Sequence, residues 1–342
     1  AIFVYYKRFI ALIKAIMSKS FYYNQGPLKV LDILKTLNLK DSSLSEDIKV
    51  FDIKDLFSAS TSDISFFHSK KYTNIAQNTK ASFCITTNNL KNELPKNCKA
   101  LIVENVLVST AKITALFYPN AINDNFDETV LNISETEFNN KVKFGKNVLI
   151  GKNVSIGSNC SIGHNTIIEK NVSLGENCSI GSNTIIRNSL IKNNVKILDN
   201  CVIGKHGFGF FPMKNSNLRY PHIGIVIIED NCEIGCGATI DRGSMSNTII
   251  GKNTYLDNQI HIAHNVNIGE NSIIAGQVGI AGSSIIGKNV RIGGQAGISG
   301  HLKIGDNVDI AGGSGVIKDI PNNTKVMGYP AKNIREFLRE NK

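Results

Sequence analysis

From Phe144 onward an apolar residue recurs at every sixth position, usually followed by glycine, in the run FGKNVL, IGKNVS, IGSNCS, IGHNTI, IEKNVS, LGENCS, IGSNTI. After an interruption the spacing resumes at Ile250, Leu256 and Ile262 and holds to Val316 without a slip. A period of six is neither the helical period nor the alternation of an isolated strand. It fits a solenoid with three short flat strands per coil, one hexad to each face, every apolar anchor turned into the prism. Successive coils then stack at the parallel-strand spacing of roughly 4.8 Å. The glycines and asparagines beside the anchors supply the special dihedrals that the corners need.

Two stretches break the repeat. Ile203 to Ile227 carries HGFGFFPMKNSNLRYPHIG, and Asp241 to Ile249 inserts a shorter segment. Insertions in repeat proteins project from one face and often build the binding site.

Ahead of the repeat the pattern changes. Val30, Ile33, Leu34 and Leu37 keep helical spacing, and β-like runs follow at Lys49–Ile53, Ile64–Phe67, Ser82–Thr86 and Ala100–Val103. Val108–Phe117 reads as another helix, stopped by Pro119. The expected fold is mainly β, a left-handed parallel β-helix over residues 141–320. A small α/β domain (17–120) and a polar linker (121–140) precede it, and a short C-terminal helical tail (321–342) follows. Residues 1–16, AIFVYYKRFIALIKAI, are too short and too charged for a membrane span, and no cleavage site follows them. They read as an extension with no role in the fold, with an interfacial amphipathic helix as the alternative.

Composition supports the same division, since Gly26 is the single glycine before Gly145 among 29 in the chain. The formal charge of +10 comes from dispersed lysines with no basic run and no nucleic-acid motif. It reads as a lysine-rich solvated surface and argues against a nucleic-acid partner, with an acidic protein partner as the alternative. The seven cysteines form no CxxC pair, and an odd count without a secretory signal predicts free thiols in a reducing compartment. Cys160, Cys178, Cys201 and Cys232 each fall four residues after an anchor, a second inward position that needs a small side chain.

Function has to come from a site rather than from the architecture. Of the seven histidines, His164 sits in a regular corner and reads as solvated. His206 and His222 lie in the large insertion, where structural and functional readings both stand. His264 is distinguished by register: Gly282 occupies the equivalent place one coil on, roughly 5 Å along the axis. His301 lies two coils plus one residue beyond His264, about 10 Å up the same edge. A neutral imidazole can take the proton of an attacking nucleophile, and an unobstructed amide can stabilise an oxyanion. Asp257 lies one hexad plus one residue before His264, on an adjacent face, so contact with the imidazole needs a corner or another subunit. A purely structural origin stands beside the functional one for His264 and Gly282 alone, and Asp257 and His301 weaken it.

The segments HGFGF (206–210), IDRG (240–243), DNQIHIAHN (257–265), IAGS (280–283) and GH (300–301) resemble the UDP-3-O-acylglucosamine N-acyltransferases of lipid A biosynthesis. The resemblance runs over nearly the whole chain from Met17. It implies His264 as general base, Asp257 as its orienting carboxylate, Gly282 as the oxyanion-hole amide and His301 as a second active-site imidazole. DISFFHSKKY (63–72) resembles the family's uridine-binding segment, with Phe66 and Tyr72 holding the uracil and Ser69 standing where the family has asparagine. His261 stands where the family has glutamine or another polar group, and its role stays open. The resemblance further implies a UDP-sugar substrate, acyl carrier protein as donor and a homotrimer with sites between subunits. No cofactor beyond the acyl-carrier co-substrate and no metal are expected, in a cytoplasmic enzyme at or near the inner membrane face.

The expected chemistry is direct transfer to the sugar's 2-amine without a covalent acyl-enzyme. Within the class the rival is O-acylation of UDP-N-acetylglucosamine, which the separate N-terminal domain disfavours. A rival of another class is a zinc hydratase of the hexapeptide carbonic-anhydrase type using His261, His264 and His301. A third is a non-catalytic nucleotide-sugar binding module, which would keep Phe66 and Tyr72 but would not need His264.

Overall fold

A computed structural model describes residues 21–41, 44–45, 47–136, 138 and 141–340. Residues 1–16, read from the sequence as an extension, lie outside the described residues. The chain divides into two compact units, one made of Tyr22–Asp124 with Gly209–Ile223 and the other mainly of Asn125–Phe208 with Gly224–Lys342.

The smaller unit holds a four-stranded parallel sheet in the order Asp52–Ile53, Asp63–Phe67, Phe83–Thr86, Lys99–Ile102. The two interior strands are largely buried, which is why they read as apolar runs rather than as alternation. The helix Val106–Phe117 begins two residues before the sequence pattern indicates, because Asn105 Oδ1 accepts the Val108 N–H at 3.0 Å and caps it. Thr110 and Thr114 are buried on this helix, their hydroxyls donating to the Val106 and Thr110 carbonyls at 2.8 Å each. The large insertion differs from expectation. It forms a hairpin, Phe210–Pro212 against Asn217–Arg219, that belongs to this smaller unit rather than projecting alone. Within the insertion the Phe211 and Tyr220 rings meet in edge contact at 5.9 Å, and the buried Tyr220 hydrogen-bonds Thr114 of the helix Val106–Phe117, which ties the segment to the smaller unit. His206 and His222 are both buried.

The larger unit is a left-handed parallel β-helix with three sheets of 8, 11 and 10 strands, most strands only two residues long. Ile262 pairs with Ile280, and Ile280 with Ile298, so each anchor lies over its equivalent on the next coil. The anchors Ile262, Ile268 and Ile280 are completely buried, and such a side chain contributes roughly 1.5–3 kcal/mol relative to an exposed one. At the corners Asn147, Asn165 and Asn183 adopt φ of +56°. Their amides form a ladder, Asn147 Nδ2 donating to Asn165 Oδ1 at 3.1 Å and Asn165 Nδ2 to Asn183 Oδ1 at 3.2 Å.

The second inward position carries Cys160, Cys178, Cys201 and Cys232, all buried as expected. Their thiols donate to backbone carbonyls of Gly175, Lys192, Gly235 and Gly251 at 3.0–3.1 Å. Burial pushes the Cys178 thiol up to about 12 and those of Cys201 and Cys232 up to about 11. These are protonated core groups.

The polar stretch read as a linker is built onto the first coils. Leu131–Asn132 pairs antiparallel with Leu149–Ile150, and the buried Asp127 carboxylate accepts the Lys170 N–H at 2.7 Å. A solenoid end leaves strand edges and core uncovered, so a terminal cap of this kind is required. At the other end Lys325–Met327 extends one sheet, Lys332–Asn333 turns back against it and the helix Ile334–Glu340 closes the tail. Among the described residues no helix is long and apolar enough to cross a membrane.

Candidate active site

The strand His261–Ile262 drives Ile262 into the core and delivers the chain to a corner where Asn265 takes φ of +61°. His264 occupies the residue before that turn and is half-buried. One coil on, Gly282 lies directly beneath its ring. A Cβ at Gly282 would fall 2.7 Å from His264 Cε1 and 2.8 Å from Nε2, closer than real side chains approach. The His264 imidazole therefore packs on a bare backbone, and glycine is the residue that lets it do so.

The same corner carries His301. Its N–H donates to the Gly282 carbonyl at 3.0 Å, as the Ser283 N–H does to the His264 carbonyl at 2.9 Å. His301 is exposed and sits at the left-handed corner position, with φ of +62°, in line with Asn265 and Ser283. The corner thus brings together three of the four residues singled out, His264, Gly282 and His301.

Asp257 is elsewhere within the chain. It follows the strand Tyr255–Leu256, one corner before that of His264, and its carboxylate accepts the Gly276 N–H at 3.0 Å. The three-strand coil separates the two corners by a face, so a single chain does not set this carboxylate against the imidazole.

Sequence reasoning missed Asn265. The His264 Nδ1 lies 2.9 Å from Asn265 Oδ1, which also accepts the Ser244 N–H at 3.0 Å and the Ser244 hydroxyl at 2.7 Å. Asn265 Nδ2 donates to the Ser246 carbonyl at 2.9 Å and to its hydroxyl at 2.8 Å, and the Asn265 N–H donates to Thr248 Oγ1 at 2.9 Å. All of these partners come from the shorter insertion.

His261 stands on the outer face of its strand, Nδ1 2.7 Å from Thr239 Oγ1 and Nε2 3.9 Å from the Asp241 carboxylate. Burial, then the charge of Lys205, hold its pKa below the usual imidazole range, so it is neutral near pH 7. On the same face Gly279 and Gly297 present open space where a side chain would be. Among the described residues no three His, Cys, Asp or Glu side chains are grouped so as to hold a metal ion.

In the smaller unit the aromatic residues of 63–72 gather at the carboxyl end of the strand Asp63–Phe67, where open parallel sheets bind ligands. Phe66 and Tyr72 are each partly exposed, and the ring of His68, which sequence reasoning passed over, contacts both. It lies 6.2 Å from Phe66 at 19° and 5.3 Å from Tyr72. Ser69 caps the short 3-10 turn Lys70–Tyr72, its hydroxyl accepting the Lys71 N–H at 3.4 Å, and so sets where Tyr72 stands.

Residues 47–116 match the family model described as UDP-3-O-(3-hydroxymyristoyl) glucosamine N-acyltransferase. Residues 141–175, 154–188 and 247–282 match the bacterial transferase hexapeptide repeat, and 284–317 the hexapeptide repeat of succinyl-transferase. UDP-3-O-acylglucosamine N-acyltransferase of Rickettsia prowazekii is 39% identical over 254 residues, 73% of each chain. That of Rickettsia akari is 38% identical over the same length, again 73% of each. A UDP-N-acetylglucosamine acyltransferase structure from Campylobacter jejuni, 24% identical, shares the fold with a TM-score of 0.50 over 56% of this chain and 73% of its own. The identity to the rickettsial proteins, carried across both the smaller unit and the repeat, establishes that the chain belongs to the UDP-3-O-acylglucosamine N-acyltransferase family and is an acyltransferase.

Proposed function

We propose that the protein transfers an acyl chain from acyl carrier protein to the 2-amine of UDP-3-O-acylglucosamine in the cytoplasm, as a step of lipid A biosynthesis, and that it acts as a homotrimer. The observation that carries this reading is the His264 imidazole lying over the bare backbone of Gly282. The neutral sugar amine attacks the thioester carbonyl carbon, and His264 Nε2 takes its proton as the C–N bond forms. Negative charge collects on the carbonyl oxygen, which the Gly282 amide stabilises. The C–S bond then breaks, and the leaving thiolate takes the proton back from the imidazolium. His301, on the same corner, is the second imidazole facing the reacting groups. The reading needs no metal and no cofactor beyond the acyl donor.

One observation supports the trimer. The outward-facing Tyr255 and Ile273 pair across adjacent coils and are 43% and 56% exposed, an apolar pair that subunit contact would cover. The lysine-rich surface suits the acidic donor protein.

In the smaller unit Phe66, Tyr72 and Ser69 are assigned to the uridine. Substituting Phe66 and Tyr72 together by Ala is expected to raise the acceptor KM by ~10-fold or more, since each base–aromatic stack is worth about 1–3 kcal/mol. Steady-state kinetics should show kcat changing far less, because the contact is remote from the chemistry. An unchanged KM in the folded variant would mean that this unit binds something else. Chelator treatment is expected to leave transfer unaffected, and elemental analysis to find no stoichiometric zinc. Stoichiometric zinc with chelator-sensitive turnover would favour the hydratase.

A further inference from the structure

We propose that Asn265 is a positioning residue that fixes the proton of His264 on Nδ1, and that the insertion between Asp241 and Ile249 exists on this coil to hold Asn265 in that orientation. The inference rests on the reading of His264 as general base and extends it to what makes that base competent.

The Ser244 backbone N–H donates to the side-chain oxygen of Asn265 at 3.0 Å, and a main-chain N–H cannot accept. The opposite end of the amide points its Nδ2 at the Ser246 carbonyl at 2.9 Å, which can only accept. These two contacts orient the amide without ambiguity. The atom 2.9 Å from His264 Nδ1 is therefore a carbonyl oxygen. Nδ1 must carry the hydrogen, and in the neutral ring the lone pair then belongs to Nε2, the ring nitrogen nearer Gly282, 2.8 Å against 3.2 Å from a Cβ placed there.

The insertion is itself braced. The Gly224 N–H donates to the Gly243 and Ser244 carbonyls at 3.0 and 2.8 Å, and the Ile225 N–H donates to Asn247 Oδ1 at 3.1 Å. A Cβ at Gly243 would collide with the Ser246 carbonyl, so the glycine of IDRG permits the tight turn that presents Ser244 and Ser246. At another corner of the solenoid the asparagine amides stack on one another, as Asn147, Asn165 and Asn183 do. At Asn265 the insertion provides the amide's partners instead.

Two variants test this. Asn265→Gly keeps the left-handed backbone and removes the amide. Asn265→Asp keeps an acceptor beside Nδ1 but adds a charge that favours the imidazolium. For Asn265→Gly we expect kcat to fall ~10–100-fold with acceptor KM little changed, the outcome of a base left in mixed tautomers. For Asn265→Asp we expect turnover well above that of the glycine variant, with the acid limb of the kcat/KM profile moved to higher pH. A merely structural asparagine would not produce that shift. The proposal is overturned if Asn265→Gly keeps kcat within about twofold of the unsubstituted enzyme, or if the Asn265→Asp profile superimposes on it. If Asn265→Gly is unaffected while His264→Ala is inactive, the base assignment survives and only the tautomer lock falls. An active His264→Ala removes both.

Discussion

His264→Ala is expected to lower turnover by ~10²–10⁴-fold, the range typical for removal of a general base, while leaving folding nearly intact. The amine of the sugar must lose a proton as it becomes an amide, and the three atoms nearest a Cβ at Gly282 all belong to the His264 ring. Stability should be spared because the side chain is half-buried at a corner rather than at an inward anchor. The neighbouring Ile262 fills the core, and truncating an anchor of that kind typically costs 2–5 kcal/mol. Turnover and thermal melting should therefore separate cleanly in the histidine variant. Retention of more than about a tenth of activity, set against the expected range, would remove His264 from the role.

Gly282→Ala is expected to be nearly as damaging for the opposite reason, by adding an atom rather than removing one. The new methyl would lie 2.8 Å from His264 Nε2, so either the ring swings away or the two coils part at that corner. Reacting groups held at bonding distance lose on the order of 10²-fold from displacement by about 1 Å. A loss of that size is the predicted result in single-turnover assays, with the secondary structure by circular dichroism unchanged. Activity within threefold of the unsubstituted enzyme would mean that the close contact between this coil and the imidazole is not part of catalysis.

The repeat was legible because its physics is local. An inward anchor at Ile250, Leu256 or Ile262 has no alternative to being apolar, and one missed position would open the prism. The cysteines after the anchors yielded to the same register. The corner grouping of His264, Gly282 and His301 also followed from counting, since coils of fixed length turn sequence separation into distance.

What the sequence hid was whatever that register does not govern. Asn265 occupies the position where asparagine recurs around the solenoid for its left-handed backbone, so its second task is masked by the first. Nothing in the spacing reveals that Ser244 and Ser246 reach its amide, because an insertion has no register. The IDRG segment, which carries much of the family resemblance, turns out to be largely architectural. Arg242 is 1% exposed with Nη1 3.4 Å from the Gly204 carbonyl, and Gly243 shapes the loop. The hairpin at Phe210–Arg219 looked like a projection from the solenoid because its partners lie far back in the sequence, in the smaller unit. His68 was overlooked between Phe66 and Tyr72 because its contacts depend on a turn that Ser69 caps, not on strand alternation.

The most direct test of the central claim supplies the purified enzyme with an acyl carrier protein thioester and, in parallel, UDP-3-O-acylglucosamine or UDP-N-acetylglucosamine, and follows both reactions by mass spectrometry. The account predicts one added acyl group on the first acceptor only, held as an amide that survives mild base. Acylation of the second acceptor as a base-labile ester, with the first left unchanged, would contradict it.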